Sequence, residues 1–175
     1  IETSDGTYYS KAVVSATGSF ANPYLPEISG KALFKGQIHH SSQYQKADDF
    51  LNKRVAIVGE GNSGAQILAE ITKVTDALWI TQKEPRFLPD YIDGRYLFDA
   101  ATQMYEAQKL GKQFKPPSLG DIVMVDSVKD ARERGVLKSV RPFERFTEDS
   151  LVWADGHEKK VDAVIFCTGF KASLN

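Results

Sequence analysis

The chain has 175 residues, enough for one domain and short for two. Its formal net charge of -1 argues against a nucleic-acid or anionic-membrane partner, and no apolar run approaches the roughly 18 residues of a transmembrane helix. The single cysteine, Cys167, excludes an internal disulfide and a CxxC redox pair and fits a reducing cytoplasm.

A weak internal repeat brackets the chain, at residues 4–20 (SDGTYYSKAVVSATGSF) and 154–170 (ADGHEKKVDAVIFCTGF). Each copy has an Asp-Gly pair, a polar stretch, an apolar run and Thr-Gly. An Asp-Gly pair between strand-like runs predicts a hairpin turn. The apolar runs 12–16 and 163–167 lack alternation, which predicts two buried strands. Two such copies suggest that the chain leaves one sheet at two equivalent points.

Residues 19–30 contain Pro23, Pro26 and Gly30, which predict a loop, and the polar stretch 34–44 (FKGQIHHSSQY) predicts a second one. Next come a β-branched strand at 54–58, a glycine-rich turn at 59–64, a helix with apolar residues on one face, and a strand at 77–80. Asn62 or Ser63 is the predicted N-cap of that helix. The order strand, helix, strand is a βαβ unit, which is typical of a parallel sheet.

The second half of the chain begins with a helical stripe over residues 95–110 that ends before Gly111. KPPSLG at 115–120 predicts a break, and a short helix over 125–134 is predicted to stop at Gly135. Residues 136–166 follow as short strands with turns. The chain is therefore predicted to have an α/β fold, with a parallel sheet, flanking helices and a small antiparallel β-meander.

Three glycines in the turn, Gly59, Gly61 and Gly64, form a GxGxxG motif between a strand and a helix. The first allows a tight turn, the second lets the backbone approach a pyrophosphate, and the third permits close packing of helix on strand. The helix N-terminus, with Asn62 and Ser63, then presents backbone N–H groups to the phosphates. This predicts a Rossmann-like NAD(P)-binding domain; the alternative is a glycine-rich turn that binds nothing.

The end of the second strand bears on which dinucleotide is bound. NAD-specific folds place an Asp or Glu there for the ribose 2′-hydroxyl, whereas this chain has Thr81, Gln82 and Lys83, followed by Arg86. A 2′-phosphate would find a hydroxyl, an amide and cations, so we predict NADP(H) in preference to NAD(H). The alternative is a solvated basic turn.

A further motif, FxGxxxHxxxY, is formed by Phe34, Gly36, His40 and Tyr44 just before the first strand of the βαβ unit. Together with GEGNSG it resembles the class B flavoprotein monooxygenases, which include flavin-containing and Baeyer–Villiger monooxygenases. The Thr-Gly pairs of the internal repeat and the Pro23–Pro26 spacing are also similar to that family. The resemblance spans residues 11–170.

The resemblance implies that 1–175 is a single NAD(P)-binding domain, in which segments 1–24 and 163–175 would join a missing FAD-binding domain. It implies that NADPH reduces FAD and that a peroxyflavin then oxygenates a small substrate. Thr168 and Gly169 would complete the cofactor site, while His40 would order the linker between the domains and influence their coupling. We expect the faces around both segments to be unusually apolar and the isolated chain to be inactive.

Two alternatives stay open at this stage. One is the NAD(P) domain of a pyridine nucleotide–disulfide reductase, whose redox cysteine pair would have to lie outside this sequence. The other is a non-catalytic dinucleotide-binding module. The three histidines and one cysteine show no metal-ligand spacing, so no metal site is predicted. The substrate and the oligomeric state do not follow from the sequence.

Overall fold

The computed structural model describes residues 1–92, 94–112 and 120–172, apart from the side chains of 94 and 97. The strands are β1 (Glu2–Thr3), β2 (Gly6–Thr7), β3 (Gln37–His40), β4 (Val55–Val58), β5 (Ala77–Ile80), β6 (Ser139–Val140), β7 (Arg145–Phe146), β8 (Ser150–Val152), β9 (Glu158–Lys160) and β10 (Ala163–Phe166). The helices are α1 (Asn62–Ile71), α2 (Gly94–Lys109) and α3 (Asp126–Glu133), with 3-10 turns at Lys31–Leu33, Ser41–Gln43 and Ala47–Phe50.

The main sheet has five parallel strands in the order β3-β10-β4-β5-β6. Its central strands are β-branched and buried, as expected for a sheet covered on both faces. The order places β4 beside β10 on one side and β5 on the other, so the chain changes direction across the sheet at β4. In open α/β sheets the crevice at such a point is where ligands bind.

Alternate residues of the strands face two different layers. Val55 and Ile57 pack against α1 and α3, together with Ile165. Ala56 and Val164 face the other way, toward a cluster of aromatic and aliphatic side chains from the antiparallel sheet and its flanking loops. The fold is therefore a helical layer, the parallel sheet and a β layer.

The β layer is the antiparallel meander β7-β8-β9, and the second Asp-Gly pair forms the turn between β8 and β9. The first Asp-Gly pair joins β1 to β2, which are also antiparallel. Both hairpin predictions are confirmed, as are the βαβ unit, the helix ending before Gly111 and the helix ending before Gly135. The break predicted at 115–120 lies, except for Gly120, outside the described residues.

Two of the predicted strand and loop assignments are wrong. Residues 34–44 are not all loop, because Gln37–His40 form the edge strand β3, paired in parallel with β10. An edge strand tolerates polar side chains, since one of its sides faces solvent. Residues 12–16 are not a buried strand: Val13 is 64% and Val14 89% exposed, and no strand of the described chain lies beside them.

No helix among the described residues combines the length and the apolar composition needed to cross a membrane.

Candidate functional site

A cavity of about 660 Å³ opens at the carboxyl edge of the parallel sheet. Its lining comes from the ends of the central strands, from the glycine turn, and from two loops that cross the opening: Tyr24, Pro26, Ile28, Val58, Gly59, Glu60, Gly61, Ile80, Thr81, Gln82, Pro142, Phe143, Cys167, Thr168 and Gly169. Six of the sequence-predicted site residues are thus brought together here. The cavity lies in the crevice beside the strand at which the chain reverses direction.

Each of the three motif glycines has a different reason to lack a side chain. Gly59 has φ 134°, and a Cβ on it would lie 2.3 Å from the carbonyl oxygen of Cys167. A Cβ on Gly64 would lie 2.3 Å from the carbonyl oxygen of Gly59. At Gly61, by contrast, a Cβ would meet no atom within 4 Å. The protein itself therefore requires the first and third glycines, whereas the space beside the second is open to a ligand.

Trp79, on β5, fixes the glycine turn from beneath. Its indole N–H donates to the carbonyl oxygen of Gly59 at 2.8 Å, and the side chain is fully buried. This bond turns the Gly59 carbonyl inward, toward the sheet. This contact could not be predicted from the sequence, because the two residues are 20 positions apart and only the sheet register joins them.

The N-cap of α1 is Gly61, not Asn62 or Ser63, and no side chain caps the helix. Asn62 instead accepts a hydrogen bond from the backbone N–H of Val123 at 2.8 Å, which ties the helix start to the neighbouring loop. Ser63 is exposed. N–H groups in the first turn of a helix have no intrahelical partner. They carry a partial positive charge, so the uncapped start of α1 beside the cavity fits a pyrophosphate.

The end of β5 is partly occupied by a side chain from the glycine turn. Glu60 accepts a hydrogen bond from the backbone N–H of Gln82, with Oε2 at 3.0 Å from the nitrogen. Thr81 is buried beside it, and Gln82 is exposed. A carboxylate therefore lies where sequence analysis placed only a hydroxyl, an amide and cations.

A second cavity, of about 580 Å³, adjoins the first and shares Thr81 and Gln82 with it. Lys83 lines it, as do Lys138 and Arg141, two cations on either side of β6. Neither cation was predicted from the sequence, because nothing in it places β6 in the parallel sheet. One carboxylate, Glu84, lines the same cavity, so the three cations there outnumber it.

Arg86 does not belong with these cations. It lines neither of the two cavities, and its guanidinium pairs with Asp121 at 3.1 Å. The residues that follow this pair, Phe87 and Ile122, are joined by a backbone bridge. Arg86 therefore fastens one loop to another.

His40 holds the loop that follows β10. Its Nδ1 accepts a hydrogen bond from the backbone N–H of Ser42 at 3.1 Å, so Nε2 carries the proton and donates to the carbonyl oxygen of Gly169 at 2.9 Å. The imidazole is buried and meets the ring of Phe170 edge-on. The Thr168 hydroxyl donates to the carbonyl oxygen of Tyr24. His40 thus positions Gly169 of the cavity wall without lining the cavity itself.

The other residues of the FxGxxxHxxxY motif are structural. Phe34 packs against Phe146 of the meander, and a Cβ on Gly36 would lie 2.4 Å from the ring of Phe34. The Tyr44 hydroxyl donates to Glu70 of α1 at 2.8 Å, and burial, followed by this hydrogen bond, raises the pKa of the phenol. The motif therefore joins β3 to both covering layers.

Cys167 directly follows β10 in the wall of the cavity, and burial raises the pKa of its thiol to about 12. It is protonated at neutral pH and is not a nucleophile, in line with a packing role. Among the described residues, no group of three or more His, Cys, Asp or Glu side chains is placed to hold a metal ion.

Comparison with known proteins gives one consistent family. A family model described as flavin-binding monooxygenase-like matches residues 3–133. The probable indole-3-pyruvate monooxygenase YUCCA1 of Arabidopsis thaliana is 27% identical over 99% of this chain and 50% of its own length. A Baeyer-Villiger monooxygenase of Pseudomonas aeruginosa is 28% identical over 95% of this chain and 41% of its own length.

Among solved structures, a flavin-containing monooxygenase from Stenotrophomonas maltophilia superposes with a TM-score of 0.81 at 46% identity, covering 98% of this chain and 46% of that one. An oxidized steroid monooxygenase bound to NADP is 16% identical, with a TM-score of 0.60 over 90% of this chain and 46% of that one, which shows a shared fold. The chain spans half or less of the length of each of these relatives.

Proposed function

This chain belongs to the flavin-binding monooxygenase-like family, and we propose that it is the NADP(H)-binding domain of an FAD-dependent monooxygenase. The observation that carries this proposal is the glycine turn at the sheet's carboxyl edge. Gly59 and Gly64 are required by contacts within the protein, whereas the space beside Gly61 is open and adjoins a cavity of about 660 Å³. A pyrophosphate seated on the start of α1 would use that space.

Each half of the dinucleotide would meet a different part of the site. The pyrophosphate would contact the backbone at Gly61, Asn62 and Ser63, where the helix start has no side-chain cap. The wall formed by Thr168 and Gly169, held by His40, would border the same cavity. The 2′-phosphate would lie in the second cavity, toward Lys83 and its neighbouring cations.

NADP(H) is favoured over NAD(H) by Lys83, Lys138 and Arg141, which line one cavity beside β5 and β6 and outnumber its one carboxylate, Glu84. A charge-assisted hydrogen bond from any of them to a 2′-phosphate contributes roughly 1.5–3 kcal/mol. We leave Arg86 out of this set because it lines neither cavity and pairs with Asp121. Relative to the sequence prediction, the cation group thus loses Arg86 and gains Lys138 and Arg141.

FAD would be supplied by a part of the protein outside this chain. GEGNSG is the one GxGxxG sequence in the 175 residues, and a protein that binds two dinucleotides needs two such turns. Bound NADPH would deliver a hydride to FAD, and the flavin would carry the oxygen chemistry. The residues of this chain would bind and orient the nicotinamide cofactor, so the chain alone is expected to be inactive.

The surface of segment 1–24 supports a partner domain. Tyr9, Val14 and Phe20 are 95%, 89% and 69% exposed, and Phe20 stacks on Phe170 from the segment that follows β10. Large exposed apolar side chains concentrated in one segment favour a site of interaction there. β10 itself is buried at the centre of the sheet. The part of 163–175 available to a partner therefore begins after Phe166, and we propose that it meets the FAD-binding domain together with 1–24.

Isothermal titration of the chain with NADPH and, in parallel, with NADH tests the proposal. Binding of NADPH with higher affinity than NADH is expected. The variants Lys83→Glu and Arg141→Gln should lose affinity for NADPH and retain affinity for NADH, while Arg86→Gln serves as a matched control with little effect on either. Binding of neither dinucleotide contradicts the proposal. Unchanged NADPH affinity in Lys83→Glu contradicts the role of that lysine.

The family assignment favours a monooxygenase over the disulfide reductase suggested as an alternative from the sequence. Adding FAD to the full-length protein distinguishes the monooxygenase from the other alternative, a non-catalytic dinucleotide-binding module. If the full-length protein binds FAD and consumes NADPH and O₂, the module is excluded; if it binds dinucleotide without FAD, the monooxygenase proposal fails.

A further inference from the structure

Glu60 is the residue of the glycine turn whose side chain has a role that the motif does not require. It lies between Gly59 and Gly61, is half-buried, and reaches across to the end of the adjacent strand β5. There its Oε2 accepts the backbone N–H of Gln82 at 3.0 Å. The carboxylate lines the larger cavity, next to the two residues that both cavities share.

The position of this carboxylate has a chemical meaning. In Rossmann folds that take a dinucleotide without a 2′-phosphate, an acidic residue at the end of the second strand accepts a hydrogen bond from the ribose 2′-hydroxyl. Residues 80–83 of this chain supply no such residue, and the next one, Glu84, is exposed and lines the second cavity. Glu60 nevertheless brings a carboxylate to the same strand end, from the glycine turn instead of from the strand.

Resting on the proposed function, we propose that Glu60 is a specificity-determining residue at the adenosine end of the site. Its carboxylate accepts the ribose hydroxyl of NADH and repels the 2′-phosphate of NADPH. It therefore opposes the preference for NADPH that Lys83, Lys138 and Arg141 confer. The outcome is a domain that accepts both dinucleotides with a small preference, although its second cavity is lined by cations.

Glu60 opposes NADPH binding in two ways, through charge repulsion and through competition for a hydrogen-bond donor. A 2′-phosphate carries close to two negative charges, so one carboxylate within several ångströms raises the free energy of that ligand much more than that of a neutral hydroxyl. The backbone N–H of Gln82 is already used by Glu60, so a phosphate oxygen could take it only by displacing the carboxylate. Both effects act on NADPH and spare NADH.

The test uses Glu60→Gln, which removes the charge but keeps a carbonyl oxygen able to accept the Gln82 N–H. Glu133→Gln, on the exposed side of α3, is the matched control for the loss of one negative charge. NADPH and NADH are titrated calorimetrically into the wild-type chain and into both variants, and melting temperatures establish that all three are folded.

In Glu60→Gln the ratio of NADPH affinity to NADH affinity is expected to rise about tenfold, through tighter NADPH and weaker NADH binding. In Glu133→Gln the ratio should match the wild type. An unchanged ratio in a folded Glu60→Gln chain that still binds both ligands overturns this inference and leaves the proposed function standing. An equal loss of both affinities also overturns it, because Glu60 would then only shape the turn. Failure of the wild type to bind either dinucleotide overturns the proposed function, and this inference with it.

A second variant, Glu60→Asp, separates the charge from its position. Its side chain is shorter by one methylene and reaches less far toward Gln82. If the carboxylate acts from the strand end, Glu60→Asp should raise the ratio by less than Glu60→Gln but above the wild type. A ratio equal to that of the wild type would overturn the assigned position of the charge.

Discussion

Replacing Gly61 by Ala should separate ligand binding from folding. The added methyl group would meet no protein atom within 4 Å, and φ at this residue is -91°, which any L-residue adopts. Gly to Ala at a compatible position stabilises by about 0.4–1 kcal/mol through the unfolded state. Ala is a poorer N-cap than Gly by a similar amount. The two effects offset each other, so the free energy of unfolding should change by less than about 1 kcal/mol.

The same methyl group would stand in the space through which a pyrophosphate approaches the backbone of Gly61. Loss of one charge-assisted hydrogen bond costs about 1.5–3 kcal/mol, which corresponds to a weakening of NADPH binding by about tenfold to a hundredfold. Titration calorimetry measures the affinity, and urea denaturation measures the stability. An affinity equal to that of the wild type would refute the assignment of this space to the phosphates.

Gly64→Ala is the matched comparison in the same turn. Its Cβ would lie 2.3 Å from the carbonyl oxygen of Gly59, which is backbone and is also held by Trp79. Overpacking of this kind costs about 1–3 kcal/mol. Gly64→Ala should therefore lose stability, unlike Gly61→Ala. Equal stability of the two variants would refute the distinction between a glycine required by the fold and one required by a ligand.

Three further predictions concern the scaffold. Arg134→Met should lower the free energy of unfolding by about 1–3 kcal/mol in urea denaturation, because its guanidinium donates to carbonyl groups at the end of α1; an unchanged midpoint would contradict this. Asp162→Asn should melt below the wild type at neutral pH, because hydrogen bonds from Arg54 lower the pKa of Asp162 to about 2 and stabilise the charged pair. The difference in melting temperature should shrink as the pH falls from 3.8 toward about 2, where the carboxylate becomes protonated, and a constant difference would contradict this. His40→Ala should weaken NADPH and NADH binding by similar factors, since the carbonyl of Gly169 loses its donor, and His40→Gln should recover part of the loss; unchanged calorimetric affinities would exclude this positioning role.

The parts of the fold that sequence analysis predicted are those that local chemistry determines. The βαβ unit is signalled by a β-branched run, a glycine turn and a helical stripe, all within 27 residues from 54 to 80. The Asp-Gly hairpins and the helix ended by Gly135, which has φ 71°, depend on backbone preferences of a few residues. These signals act over short distances and need no tertiary partner.

The parts that were missed depend on strand neighbours. β3 is polar because it lies at the edge of the sheet, and its place is set by β10, more than 120 residues later. Lys138 and Arg141 join Lys83 only because β6 pairs with β5. Arg86 was grouped with Lys83 by closeness in sequence, whereas its partner Asp121 is 35 residues away. Charges on loops can therefore be assigned to a site only after the order of the strands is known.

The two copies of the internal repeat share a local conformation but differ in burial, which the sequence pattern alone does not predict. Gly18 and Gly169, the glycines of the two Thr-Gly pairs, both adopt a left-handed backbone, with φ 66° and 76°. The local conformation of the Thr-Gly pair is thus shared by both copies. Their surroundings differ: the run before Thr168 is buried between β3 and β4, whereas the run before Thr17 is exposed. A pattern of apolar residues predicts a buried strand, but the surface that buries it must be supplied by another part of the protein. For the first copy, we propose that this surface is the FAD-binding domain.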